Sequence, residues 1–207
     1  MKKGAREFDV VVWGATGFTG RLVAEYLLDA YGVGGDLKWA MAGRNLQKLE
    51  EVRAGLGPTA AEVPLVTADS HDQASLAAMV ASTSVVCSTV GPFAKHGSGL
   101  VTACADSGTD YCDITGEVQW VRRMIDSCEE TAKKSGARLV HCCGFDSIPS
   151  DLGTLFTHRQ MERLHGGPCE EVKLRVRRMK GAFSGGTVAS LLNALDEARA
   201  DLYARRT

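Results

Sequence analysis

None of the seven cysteines stands in a C-x-x-C pair, and their number is odd. Zinc sites and thioredoxin-like redox centres lean on that spacing, so neither is expected. Several cysteines lie inside apolar runs, such as Val85-Val86-Cys87 and Val140-His141-Cys142-Cys143. There a thiol reads as a small apolar filler in a reducing compartment. The five histidines are scattered and form no H-E-x-x-H, so no metal site is expected. No stretch of about twenty apolar residues is present, so no transmembrane segment is expected. No signal-peptide-like apolar run follows Met1. The expected location is intracellular and cytoplasmic, with any membrane or lipid-surface association arising in a C-terminal part outside this chain. A basic excess is also missing: 24 Lys and Arg face 25 Asp and Glu, for a formal charge of −1. A nucleic-acid partner is therefore not expected. None of the four tyrosines is followed four residues later by Lys, and there is no G-x-S-x-G elbow. Tyr–Lys reductase chemistry and serine hydrolase chemistry lose their support.

What is present suffices for a folded core: 44% of the 207 residues are apolar and 24% charged. Short apolar runs alternate with longer amphipathic stretches. Strands are expected at 8–13, 37–42, 63–67, 84–89, 110–114 and 138–143. Helices are expected at 17–30, after Asn45 as a cap, at 72–80, 100–107 and 117–134. In the first helix the apolar recurrence runs through Leu22, Val23, Tyr26 and Leu27; in the 117–134 helix it runs through Val118, Val121, Ile125 and Cys128. Strands alternating with helices imply parallel pairing and right-handed crossovers. The fold class is α/β, a doubly wound parallel-sheet Rossmann domain over 1–147, followed by the start of an α+β second domain over 148–207. In that second part, 171–178 alternates apolar and basic residues as a half-exposed antiparallel strand would. A helix with Val188, Leu191, Leu192 and Leu195 as its apolar stripe follows. The second domain reads as a substrate and dimerisation domain, incomplete here, through which homo-oligomers could form.

Four motifs carry chemistry. Between the first strand and first helix stands Gly14-Ala15-Thr16-Gly17-Phe18-Thr19-Gly20. Glycines there let the backbone turn and approach a pyrophosphate, and the helix start offers free N–H groups. Ala42-Gly43-Arg44 ends the second strand. An NAD site usually has an acid there for the ribose 2′-hydroxyl; Arg44 suits a 2′-phosphate, so NADP(H) is favoured over NAD(H). Val90-Gly91-Pro92-Phe93 follows the fourth strand and is expected to line the cofactor. Gly144-Phe145-Asp146-Ser147-Ile148-Pro149 follows the sixth; Gly144 and Asp146 could border a nicotinamide, or the segment could be a plain helix start. Tyr111, Asp113 and His96 are candidate proton donors because their segments follow strands four and five. Each has a plain alternative: a core phenol, a helix cap near Gly116, and a loop histidine.

Together these motifs, with Asp110-Tyr111-Cys112-Asp113-Ile114-Thr115-Gly116-Glu117 and Ser184-Gly185-Gly186-Thr187, resemble the saccharopine dehydrogenase-like oxidoreductases, among them the trans-acting enoyl reductases. The resemblance covers essentially the whole chain. It implies an NAD(P)H-dependent oxidoreductase acting on an unsaturated or carbonyl substrate, small or lipid-like. Members of that family run to about twice this length, so the chain reads as an N-terminal portion, inactive alone. A non-catalytic NADP(H)-binding sensor or scaffold is the alternative.

Overall fold

The computed structural model describes residues 6–178, 180, 181 and 184–200. The outer ends of the two expected domains, 1–5 and 201–207, lie outside the described residues. Six strands form one parallel sheet: β1 (Phe8–Trp13), β2 (Trp39–Gly43), β3 (Leu65–Thr67), β4 (Thr83–Ser88), β5 (Asp110–Asp113) and β6 (Leu139–Val140). Their order is β3-β2-β1-β4-β5-β6, the doubly wound Rossmann arrangement. The register is continuous at the centre, where Trp13 pairs with Ala42 on one side and Ser88 on the other. The described helices are α1 (Phe18–Tyr31), α2 (Leu46–Gly55), α3 (Gln73–Ser82), α4 (Phe93–His96), α5 (Ser98–Ser107), α6 (Val118–Ser135), α7 (Ile148–His165) and α8 (Gly185–Ala200).

Both faces of β1 are apolar because both are covered. Val11 and Trp13 pack with Val86 and Tyr111 against Leu76, Leu100, Val101 and Trp120 of α3, α5 and α6. Val12 and Met41 pack on the opposite face against Ala24, Leu28, Leu49 and Val52 of α1 and α2. Local signals set the helix starts. The side chains of Asn45 and Asp72 accept from Lys48 N and Ala74 N, each a cap of about 1 kcal/mol.

Several expectations are corrected by packing. In α1 the buried stripe is Gly20, Ala24, Leu27 and Leu28, while Leu22 and Tyr26 are exposed. Gly20 sets this roll: a Cβ there would lie 2.1 Å from Gly14 O, so only glycine lets α1 sit on the β1 loop. In α6 the inward residues are Trp120, Met124, Cys128 and Ala132; Val118 and Ile125 face outward. Trp120 orients that helix, packing on Phe93 and donating its Nε1–H to Ser98 Oγ at 2.9 Å. β6 is shorter than its apolar run because Asp113 captures the next backbone groups. Asp113 Oδ1 accepts from Cys142 N, and Asp113 O accepts from Cys143 N. No strand forms at 171–178, where Val172, Leu174 and Val176 are exposed. No described strand pairs with that segment, and a lone strand leaves its N–H and C=O groups unpaired.

Candidate functional site

The loop from Gly14 to Gly20 leaves the C-terminal end of β1 and enters α1. Gly14 has φ +91°, and a Cβ there would come within 2.6 Å of Val90 Cγ2 and 2.8 Å of Thr89 Oγ1. Glycine is therefore required twice over, by conformation and by the close approach of the β4–α4 turn. That turn is held in place: Thr89 N donates to Trp13 O at 2.9 Å, and Thr89 Oγ1 to the same oxygen at 3.1 Å. No side chain caps the start of α1. Its first N–H groups, with the positive end of the helix dipole, are left for an anion.

A cavity of about 560 Å³ opens from this loop. Its size suits a cofactor-class ligand. Thr16, Gly17, Phe18 and Thr19 form one side and Val90, Gly91 and Phe93 another. Farther along the sheet edge come Ile114, Gly116, Glu117, Trp120 and Asp146. Ser184, Thr187, Ser190 and Leu191, at and within α8, close it from above.

Most of the sequence-derived cofactor residues therefore meet at one place. Gly14, Thr16, Gly17, Phe18, Thr19, Val90, Gly91, Phe93 and Asp146 all line this cavity. Pro92 and Gly20 are buried just behind it as packing groups. Gly144 packs on Ile114, where a Cβ would come within 3.2 Å of Ile114 Cβ. Arg44 is exposed beyond β2, with no carboxylate bonded to its guanidinium among the described residues.

The three candidate proton donors do not line the cavity. Tyr111 is 1% exposed in the sheet core, its hydroxyl without a partner among the described residues. Burial raises the phenol's pKa well above its usual range, with the Asp113 charge adding to the effect. Asp113 is also buried; its Oδ2 lies 2.6 Å from His141 Nδ1 and its Oδ1 accepts from Thr115 N. It ties the end of β5 to the end of β6. His96 packs edge to face on His71.

Glu117, which sequence reasoning took only as a helix start, is central here. Its Oε1 accepts from Phe93 N at 2.8 Å and from the Ser190 hydroxyl at 2.9 Å; its Oε2 accepts from Ala94 N at 2.9 Å. One carboxylate thus fixes the turn after β4, satisfies two N–H groups of α4 and anchors α8. The sequence signal was an acid directly after a strand-end Thr-Gly, but its partners lie 23, 24 and 73 residues away.

The family model of the saccharopine dehydrogenase NADP binding domain matches residues 10–140, which is the sheet just described. The chain belongs to this family. Its cofactor is NADP(H), and the residues present fit it: a glycine cradle, an uncapped helix start and, where an NAD site would have an acid, a guanidinium with no bonded carboxylate among the described residues. Among relatives of this NADP-binding family member, a Mycobacterium tuberculosis (strain H37Rv) protein provisionally named a trans-acting enoyl reductase is 47% identical over 206 residues. The alignment covers all of this chain and 48% of that protein. The trans-acting enoyl reductase of Mycobacterium ulcerans (strain Agy99) is 41% identical over 207 residues, covering 49% of its length. The chain spans about half the length of the curated relatives it matches. The apo histidine-tagged saccharopine dehydrogenase (L-Glu forming) of Saccharomyces cerevisiae shares the fold. Its TM-score is 0.56 at 19% identity, over 77% of this chain and 32% of that one. Among the described residues no helix is long and apolar enough to cross a membrane.

Proposed function

We propose that the chain is the cofactor-binding part of an NADPH-dependent reductase acting on an unsaturated or carbonyl bond of an apolar, lipid-derived substrate. The observation that carries this reading is the continuity of one cavity from the Gly14–Gly20 loop to an apolar wall of Ile114, Trp120 and Leu191. Bound NADPH supplies the hydride there. The protein's own groups position and shield. The α1 start and the Gly14–Gly20 backbone would hold the pyrophosphate. Glu117 holds the turn of Gly91 and Phe93 and tethers α8 through Ser190, so that both would border the bound cofactor. Buried Phe93 and Trp120 shield the cavity wall from water. The enoyl reductase names of the relatives support an activated carbon–carbon double bond as the target.

Under the same reading, residues 1–147 form the Rossmann domain and 148–207 open a substrate and dimerisation domain. No residue of α7 is buried, and Val188, Leu191, Leu192 and Leu195 of α8 are all at least 45% exposed. Such apolar faces suit further packing.

A second reading is a non-catalytic NADP(H) sensor or scaffold. It is favoured by the placement of Tyr111, Asp113 and His96 outside the cavity. NADPH oxidation with a panel of enoyl and keto thioesters, run on a full-length protein containing this chain, separates the two. Turnover of enoyl thioesters supports the reductase; NADPH bound but never consumed across the panel supports the sensor.

A further inference from the structure

Beyond the C-terminal ends of β2, β3 and β4 lie three side chains that carry or can accept positive charge. Arg44 directly follows β2, His71 lies in the loop after β3, and His96 ends α4 after β4. The two imidazoles meet edge to face, with centroids 5.5 Å apart and planes at 72°. The His71 loop is pinned, since Asp69 Oδ1 accepts from His71 N at 2.9 Å and Asp69 N donates to Ser75 Oγ. None of the three lines the main cavity, which runs the other way along the sheet edge toward β5. The cluster therefore flanks the β2 side of the cofactor loop, where the adenosine end of a dinucleotide lies in a doubly wound sheet.

The charges around His96 are unbalanced. Burial depresses its pKa, and His71, Arg44 and Lys95 push the same way; only Asp69 opposes them. Three cationic or protonatable neighbours against one carboxylate form a site that an anion would relieve.

We propose that His96 and His71 complete, with Arg44, the recognition site for the 2′-phosphate of NADP(H), and that this site takes up a proton as the phosphate docks. The inference rests on NADP(H) being the cofactor. A 2′-phosphate brings about −1.5 to −2 charges and several strong acceptor oxygens. Its arrival favours the imidazolium form of His96. Proton uptake on binding means that affinity for NADPH rises as pH falls toward the free-state pKa of His96, which lies below the ordinary histidine value. Below that value the gain stops, and protonation of the phosphate near pH 6 begins to reverse it. NADH has no 2′-phosphate and shows no such dependence. His96 thus acts on the choice between cofactors.

Calorimetric titration of the chain with NADPH and with NADH, in two buffers of different ionisation enthalpy at pH 7, tests this. Wild type should take up a measurable fraction of a proton with NADPH and less with NADH. His96→Gln should raise the NADPH Kd roughly three- to tenfold, as for loss of one partly exposed charge-assisted hydrogen bond. It should leave the NADH Kd within about twofold and reduce the proton uptake; His71→Gln should act in the same direction. Thermal melts of the free variants check that the fold is kept. Unchanged Kd and proton uptake in a folded His96→Gln, or equal losses for both cofactors, would overturn the proposal. In the first case Arg44→Ala would still impair NADPH if the cofactor assignment is right. Wild type that binds NADH but not NADPH would instead sink the NADP(H) assignment itself.

Discussion

At the scale of single residues, charge and close contact each make a sharp demand. Arg44 stands where an acid would select NAD, and its guanidinium has no bonded carboxylate among the described residues. Losing one bidentate, charge-assisted contact costs about 1.5–3 kcal/mol. Arg44→Ala should therefore weaken NADPH binding about tenfold to a hundredfold while changing NADH binding much less, as read by calorimetry. Gly20 makes a steric demand. An added Cβ would meet Gly14 O at 2.1 Å and Gly14 C at 2.7 Å, all backbone that cannot swing aside. Overpacking costs about 1–3 kcal/mol, and Gly20→Ala should sit at the upper end in urea unfolding. Gly55→Ala is the control: nothing lies within 4 Å of its would-be Cβ, so stability should stay level or rise by up to about 1 kcal/mol. If Gly20→Ala unfolds at the same urea concentration as wild type, the close packing of α1 on the loop does not govern its roll.

At the scale of elements, Glu117 joins the β4–α4 turn and the start of α4 to α8, which lies 73 residues away from it in the chain. Removing its carboxylate leaves Phe93 N and Ala94 N without their acceptor, a loss of about 1–3 kcal/mol. Glu117→Ala should lower stability by that amount and also raise the NADPH Kd, because Gly91 and Phe93 shape the cavity. A stability loss with unchanged NADPH affinity would show that the turn keeps its place without the carboxylate. The segment 171–178 shows how a strand pattern needs a partner. Its alternation is plain, yet Val172, Leu174 and Val176 are exposed and, among the described residues, Lys173 pairs with nearby Glu171 at 2.7 Å. Amides without ladder bonds exchange quickly. Hydrogen exchange should find 171–178 poorly protected beside β1 and β4; strong protection independent of concentration would mean a stable pairing that these contacts do not contain. The six sheet strands and helices α1, α2, α3, α5, α6 and α8 were readable in type and order, and α7 only as one of two alternatives for its first residues; α4 was missed. In that single-turn helix, Phe93–His96, four residues carry too little periodicity and the N–H groups are held by the distant Glu117.

At the scale of the whole molecule, the cavity is assembled and its surroundings are open. The cradle, turn and cavity are assembled within residues 14–194, while α7 buries none of its side chains. Water-excluding closure in two-domain dehydrogenases requires both domains to meet around the substrate. This chain should therefore bind NADPH yet oxidise none of it with enoyl thioesters that a full-length relative accepts. Equal specific activity from the two would refute the proposed second domain as a catalytic requirement.

The sequence by itself determined the doubly wound sheet, the glycine loop and the preference for NADP(H). Those features depend on local period, on backbone freedom at named glycines and on one charge at a strand end. Only the tertiary structure decided which helix faces turn inward. It alone set Tyr111 and Asp113 away from the cavity, and it alone revealed Glu117 as the clamp and the meeting of His71 with His96. Each of these depends on groups far apart in the chain, whose contact is set by how the elements pack.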